Sequence, residues 1–575
     1  MGERATHHHP LLLDMKLAPG SRLLSRTSVP LLAALLAALL ASGVAGQVTL
    51  RASVSSLGEE ASFTCEAPSA SADGRYVAFQ SSATNLVPGD TNSRGDVFVH
   101  DFETGATTRV SVSSTGAQAN DSSSWPSMSA DGRYVAFGSY ATNLVPDDTN
   151  FWPDIFLHDR ETGATTRVSL TSAGEQTTFS SFEPALSADG HFVAFKSAAA
   201  NLNSIGTNQW EIYLRDLQAG TTLHVSADAN GEPCDGENNR PFVSEDGRYV
   251  TYSSRATDLV PVDTNNGQDV FLYDRLLGTT TLVSLDSSGG PTSGPGANSL
   301  DSRITKDGRY VVFWSSGGGF VDIDSNGHPD VFMRDLQTGS TTRVSEGEGG
   351  EQGLSPSKHP FITKDGRYIV FDSWAQNITP GDTANLYDII LKDTLSGLTR
   401  RVSLDMNGLD PDGHSNHPTL SQDGRYVFFE SGATDLVPTT DNGWVDIYRY
   451  GPIPRDPLID IDLNGSDGPV TIPLGVPATV SIAFDAGDHT GTHFDWWLWA
   501  EAPNGTTFWM LANMTWIASP VPISTYQGGT ISFPHVPIIS GATLPEGTYR
   551  IHFALDAPDG VLDETYRDTI EFTVE

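Results

Sequence analysis

The chain has 575 residues, with 33 Lys and Arg against 71 Asp and Glu, a formal charge of −38, and 38% apolar residues. This length excludes a single small core and asks for several domains or a repeat array. The acidity excludes non-specific binding to nucleic acid or to anionic membranes, which need surplus Lys and Arg, and 26 Phe, 16 Tyr and 11 Trp exclude disorder.

Residues 1–46 read as a secretory signal. Lys16, Arg22 and Arg26 precede an apolar run from Val29 to Leu40, and small residues from Ala41 to Gly46 follow. A basic start, an apolar run of about a dozen residues and a small-residue exit have that meaning, and a membrane-spanning helix needs about 20 apolar residues. The expected cleavage lies after Ala45 or Gly46. The expected location is secreted or periplasmic, without membrane insertion, and the expected assembly is a monomer.

Seven copies of one signature follow. The first is Ser71-Ala-Asp-Gly-Arg-Tyr-Val-Ala-Phe79, and its aspartate recurs as Asp73, Asp131, Asp189, Asp246, Asp307, Asp365 and Asp423. The spacings are 58, 58, 57, 61, 58 and 58 residues, which marks a repeat architecture. Each unit predicts four strands. The first ends in Pro-x-x-Ser, and Asp-Gly makes the turn, with Gly accepting positive φ. Arg-Tyr-Val-Ala-Phe is the second strand, Asp96-Val-Phe-Val-His100 the third, and Thr107-Thr-Arg-Val-Ser111 the fourth. Four short strands per unit are the signature of propeller blades.

The seventh unit stops at Asp446-Ile-Tyr-Arg-Tyr450 and has no fourth strand. Leu50-Arg51-Ala52-Ser53 stands 58 residues before Thr108-Arg109-Val110-Ser111, so residues 48–54 are expected to complete it. The fold class is therefore all-β: a seven-bladed propeller over 47–453, closed by the N-terminal strand. The Ser-x-Asp-Gly-Arg-Tyr-x-x-Phe and Asp-x-Phe-x-x-Asp strings resemble TolB-type repeats, relatives of WD repeats. That resemblance implies the fold. It does not bring TolB's role at the cell envelope, because the separate N-terminal domain of TolB has no counterpart here.

After Gly451-Pro-Ile-Pro454 the period disappears. Residues 454–575 show about seven alternating runs, which predicts an immunoglobulin-like β-sandwich. Trp496 and Trp497 have opposite strand parity, so one of them is expected outside the core.

Candidate sites come from comparing the repeats with one another. Six residues before each turn aspartate stand Ala67, Trp125, Glu183, Arg240, Asp301, His359 and His417, followed by Pro in six units of seven. Equivalent positions in a fold favour similar residues, yet these differ in charge, size and aromaticity. They are expected to form a ligand-binding ring at the channel mouth. Its richest arc is Asp301, His359 and His417, with His414 near, a donor set that could hold a transition metal. The alternative is a set of solvated connector residues.

The loops between second and third strands repeat Asp-x-Asn-x-x-x-Asp. The sharpest copy holds Asp322, Asp324, Asn326 and Asp330, with Gly327 permitting a tight bend. It has the oxygen spacing of calcium loops and resembles those of integrin-type propellers, so Ca2+ is the cofactor it would take. The alternative is an Asx-turn that bonds its own backbone. Cys65 and Cys234 lie three blades apart, too far for a disulfide.

No nucleophile elbow, Walker loop, His-Glu-x-x-His or nucleotide fingerprint occurs. The function expected is a non-catalytic scaffold for an extracytoplasmic protein or glycan. The alternative is a propeller hydrolase or lyase acting on polysaccharide or peptide at the channel mouth.

Overall fold

The computed structural model describes residues 48–453, apart from 204, 292–297, 322–323 and 439–441, and the strand backbones between 458 and 574. The signal expected at 1–46 lies outside the described residues. Among those described, no helix is long and apolar enough to cross a membrane.

The seven repeats form a seven-bladed propeller of four-stranded antiparallel sheets. In the first blade the strands run Cys65–Ala70, Tyr76–Ser81, Asp96–Asp101 and Ala106–Arg109 from the channel outward. The seventh sheet takes Ser415–Leu420, Val427–Ser431 and Asp446–Gly451 from the last repeat. Its remaining strand is Val48–Arg51, which pairs antiparallel with Asp446–Gly451, Val48 opposite Gly451 and Arg51 opposite Tyr448.

The repeated signature builds each corner. Asp73 Oδ1 accepts from the Ser71 hydroxyl at 2.6 Å and from the Arg75 N–H at 3.0 Å, closing an Asx-turn. Gly74, at φ +68°, is required twice over. The turn needs left-handed backbone, and any Cβ would strike the Tyr426 ring of the seventh blade. The same contact recurs around the ring, Gly132 on Tyr76 and Gly424 on Tyr368 among them. Arg75 then reaches Asp101 through two hydrogen bonds, at 3.0 and 2.8 Å, tying second strand to third. That pair is partly exposed and weak as a stabiliser.

A buried hydroxyl–carboxylate bond ties third strand to fourth. Ser111 Oγ donates to Asp96 at 2.5 Å, Ser169 to Asp154 at 2.6 Å and Ser345 to Asp330 at 2.7 Å. In the seventh sheet Ser53 donates to Asp446 in the same way, and Arg51 lies 3.3 Å from that carboxylate.

The core lies between blades. Ala78, Val97 and Val99 of the first pack with Val135, Phe137 and Phe156 of the second. Val77, Phe79 and Phe98 pack with Phe428 and Ile447 of the seventh and with Ala52. Each blade is thus covered on both faces, which is why its middle strands read as unbroken apolar runs. Cys65 and Cys234 are buried free thiols.

The C-terminal region holds ten described strands where alternation predicts about seven. Val470–Ile472, Trp516–Ala518 and Tyr526–Gly529 are too short to show a period. Leu458–Leu463, Ala478–Asp485 and Phe533–Ala542 form one sheet, and the other seven strands form a second around His493–Glu501. The side chains of Trp496 and Trp497 lie outside the described residues. Trp499 is buried and stacks on His552 at 4.6 Å.

Candidate functional site

The innermost strand of every blade carries a β-bulge. In the first, the register shifts between Glu66 and Ser69, so Ala67 and Pro68 together face one residue of the second strand. Equivalent shifts recur in the other six blades. The bulge explains the Pro of the signature, because an extra residue need not donate to the ladder. The residue before it takes left-handed backbone. Ala67, Trp125, Glu183, Arg240, Asp301, His359 and His417 all have φ between 48° and 55°. This conformation costs a non-glycine residue roughly 1–2 kcal/mol.

All seven line one cavity of about 550 Å³ at the end of the channel where the blade connectors lie. The structure therefore brings together Trp125, Glu183, Arg240, Asp301, His359 and His417. His414 stands apart: its Nδ1 accepts from the Tyr387 N–H at 2.9 Å, in an aromatic group with Trp374.

A connected polar arc runs along one side of the mouth. His417 Nδ1 bonds Glu430 at 3.0 Å, and the His417 N–H donates to Asp372 at 3.1 Å. His359 Nδ1 bonds the same Asp372 carboxylate at 2.7 Å, and its Nε2 faces Asp301 at 3.8 Å. The two imidazole rings are 4.3 Å apart. Asp301 accepts from Trp314 Nε1 at 2.6 Å and pairs with the Arg240 guanidinium, while the Arg240 N–H donates to Glu183 at 2.6 Å. Trp125 stands at the rim, 41% exposed and edge-on to Phe182 at 5.3 Å.

Burial alone would raise the Asp301 carboxyl, but Arg240, His359 and the Trp314 N–H outweigh it and hold it below the usual range. The bond to Glu430 pushes His417 up to about 8, against burial.

Sequence comparison at one position missed three of the eight residues of this arc. Asp372, Glu430 and Trp314 stand seven residues after their turn aspartates, where other blades carry Gln80, Gly138, Lys196 and Ser253. Arg303, which also lines the cavity, stands four before its aspartate, where other blades carry Ser69, Ser127, Ala185, Phe242, Phe361 and Thr419. The same between-repeat variation, examined at these two positions, would have found them.

Among the described residues, no group of three or more His, Cys, Asp or Glu is arranged to hold a metal ion. In the arc both imidazoles commit Nδ1 to a carboxylate. In the loop, Asp322 lies outside the described residues. Gln352 Nε2 donates to Asp324 at 2.8 Å and to Asp330 at 3.3 Å, and Asn326 Nδ2 donates to Asp330 at 3.0 Å. The equivalent first-blade loop has the same pattern, with Gln118 between Asp90 and Asp96 and Arg109 beside both. Amide and guanidinium donors take the oxygens that the spacing offers to a cation.

No family model matches the chain, and no curated protein matches it. Solved propellers are similar to it. A TolB structure from Agrobacterium tumefaciens is 17% identical, with a TM-score of 0.31, over 49% of this chain and 80% of that one. A structure of RRP9 WD40 repeats is 9% identical, with a TM-score of 0.36, over 70% and 97%. A GH74 enzyme from Niastella koreensis is 11% identical, with a TM-score of 0.37, over 91% and 74%. These likenesses concern the fold and assign no activity.

A raised imidazole pKa means that the His417–Glu430 bond contributes fully below about pH 6.5 and is lost as pH rises through about 8. NMR titration of the imidazoles is expected to give His417 a midpoint near 8, falling by a unit or more in Glu430→Gln. A midpoint at or below 6.5 in the parent contradicts the geometry.

Proposed function

We propose that the protein is a secreted or periplasmic, non-catalytic β-propeller scaffold that binds an extracytoplasmic protein or glycan at its channel mouth. The observation that carries this reading is the set of seven strained bulge residues. Glycine would relieve the left-handed backbone, yet the chain puts Trp, Glu, Arg, Asp and two His there. Strain retained at equivalent positions with dissimilar side chains points to use of those side chains. Support for the location is the basic-then-apolar stretch within residues 1–46.

A second reading, a hydrolase or lyase acting on polysaccharide or peptide, draws on the His359–Asp372 and His417–Glu430 pairs, which have the form of acid–base dyads. Binding is preferred because each carboxylate of the arc already accepts internal donors that shape the mouth.

The test is a glycan and protein-partner screen with the full chain, beside His359→Ala and His417→Ala, scored for binding and turnover together. Binding by the parent, weakened ten-fold or more in the variants and without turnover, is expected; tenfold is about 1.4 kcal/mol. Turnover that the variants lose would establish the enzyme instead. Variants that bind as the parent does contradict a role for the mouth.

We further propose that Val48–Arg51 closes the ring. The support is its register on Asp446–Gly451 and the repeat of the serine–carboxylate bond at Ser53. Deleting residues 48–54 would strip Asp446, buried in the seventh blade, of Arg51 and Ser53. The expected loss is at least about 1–3 kcal/mol in thermal or urea unfolding, the usual cost of a buried polar group left without its donors, because burial already pushes the Asp446 carboxyl up to about 7 and it takes a proton once Arg51 is gone. Unchanged unfolding contradicts closure by this strand.

A further inference from the structure

We propose that Arg303 anchors a carboxylate of the mouth's ligand, and that this ligand is an acidic saccharide bearing a hexuronate residue. The inference rests on the reading of the mouth as a binding site and names the ligand's chemistry.

Arg303 is the one charged residue at its position in the seven repeats. Its side chain borders two cavities, the mouth of about 550 Å³ and a narrower one of about 200 Å³ further along the channel. It therefore stands at the neck between them. Its guanidinium sits 4.9 Å from the Phe242 ring centre and 5.7 Å from that of Phe361. One hydrogen bond holds it, Nη1 to the Ser302 carbonyl at 2.9 Å, and Nε is buried without a partner. No described carboxylate lies within ion-pair distance of it. Asp301, two residues away, is turned to Arg240 and Trp314. The arginines of the blade corners behave otherwise: Arg75, Arg133 and Arg248 each grip an aspartate.

A guanidinium has five N–H donors in a planar fork that suits a carboxylate bidentately. Two phenyl faces offset part of its desolvation and fix its plane. What they leave open is an anion approaching from the mouth.

The surroundings select the kind of anion. Glu66, Glu183, Asp301 and Glu430 also line the mouth, so a phosphate or a polysulfate would be repelled, whereas a single monoanionic group on the Arg303 axis is tolerated. The same carboxylates accept from hydroxyls, and Arg240 and His417 donate to them. Trp125 offers a partly exposed aromatic ring at the rim. Hydroxyl-matching walls, an aromatic platform and one carboxylate anchor describe a uronic-acid sugar better than a peptide, whose amides lack such a density of donors.

The experiment uses the full chain in calorimetric titration. The probes are neutral oligosaccharides carrying a single glucuronate or galacturonate residue, their uncharged glucose and galactose counterparts, and a short acidic peptide. Arg303→Met and Arg303→Lys are compared with the parent, with circular dichroism and melting as fold checks. The expected result is hexuronate binding at least ten-fold tighter than the neutral sugars. Arg303→Met abolishes that preference, and Arg303→Lys retains part of it. Equal binding of acidic and neutral sugars overturns the inference, as does indifference to Arg303→Met. Arg303-dependent binding of the acidic peptide alone overturns the saccharide. Binding lost in His359→Ala and His417→Ala but untouched by Arg303→Met removes the anchor and leaves the mouth as a site.

Discussion

The bulge in each innermost strand is the constraint from which the rest of the mouth follows. One extra residue per blade, opposite one on the next strand, turns a side chain out of the ladder and toward the channel. The backbone there must be left-handed, and the following residue has no ladder bond to make. Proline therefore fits after it in six blades, and a strained residue before it in all seven. Because the blades are arranged about an axis, seven separate local distortions become one wall. Distant sequence positions such as Asp301, His359 and His417 then meet within a few ångströms.

The ring that holds this wall is built from contacts that repeat with little change. A turn glycine of one blade lies on an aromatic ring of its neighbour, and the cycle includes Gly74 on Tyr426, joining first blade to last. Backbone bonds follow the same circle at the channel's other end: Ala72 N–H to Ala130 O at 2.8 Å, Ala130 to Ala188 at 2.9 Å, and Asp423 to Ala72 at 3.0 Å. The uniform parts of the repeat carry the scaffold, and the variable parts face the mouth. Uniformity and variation within one chain thus separate the positions that build the ring from those that line the mouth.

The scaffold was legible in the sequence because its interactions are local and recur: Ser71, Asp73, Gly74 and Arg75 lie within five residues of each other. The identity of the mouth residues was legible from their failure to repeat. Their partners were less so. Asp372 bonds His359 and His417 across two blades, and spacing within a strand does not say which carboxylate reaches which imidazole. That Arg303 has no carboxylate within ion-pair distance was beyond sequence reasoning altogether, since it depends on Asp301 turning to Arg240 and Trp314. The acidic loops differ again. Asp-x-Asn-x-x-x-Asp gives calcium-like spacing, but Gln352 in the fifth blade and Gln118 in the first, both on later connectors, bring their own donors.

The most direct check on the bulge is the substitution Ala67→Gly. Ala67 has φ 55° and no side chain beyond Cβ, so the change isolates the backbone. In an ordinary strand, Ala to Gly costs roughly 0.5–1 kcal/mol. Here relief of left-handed strain, roughly 1–2 kcal/mol, opposes that loss. The account predicts a melting temperature equal to or above the parent's. A fall of the size seen for Ala to Gly in a regular strand would mean that position 67 is not left-handed, and that the seven side chains do not share the mouth for the reason given.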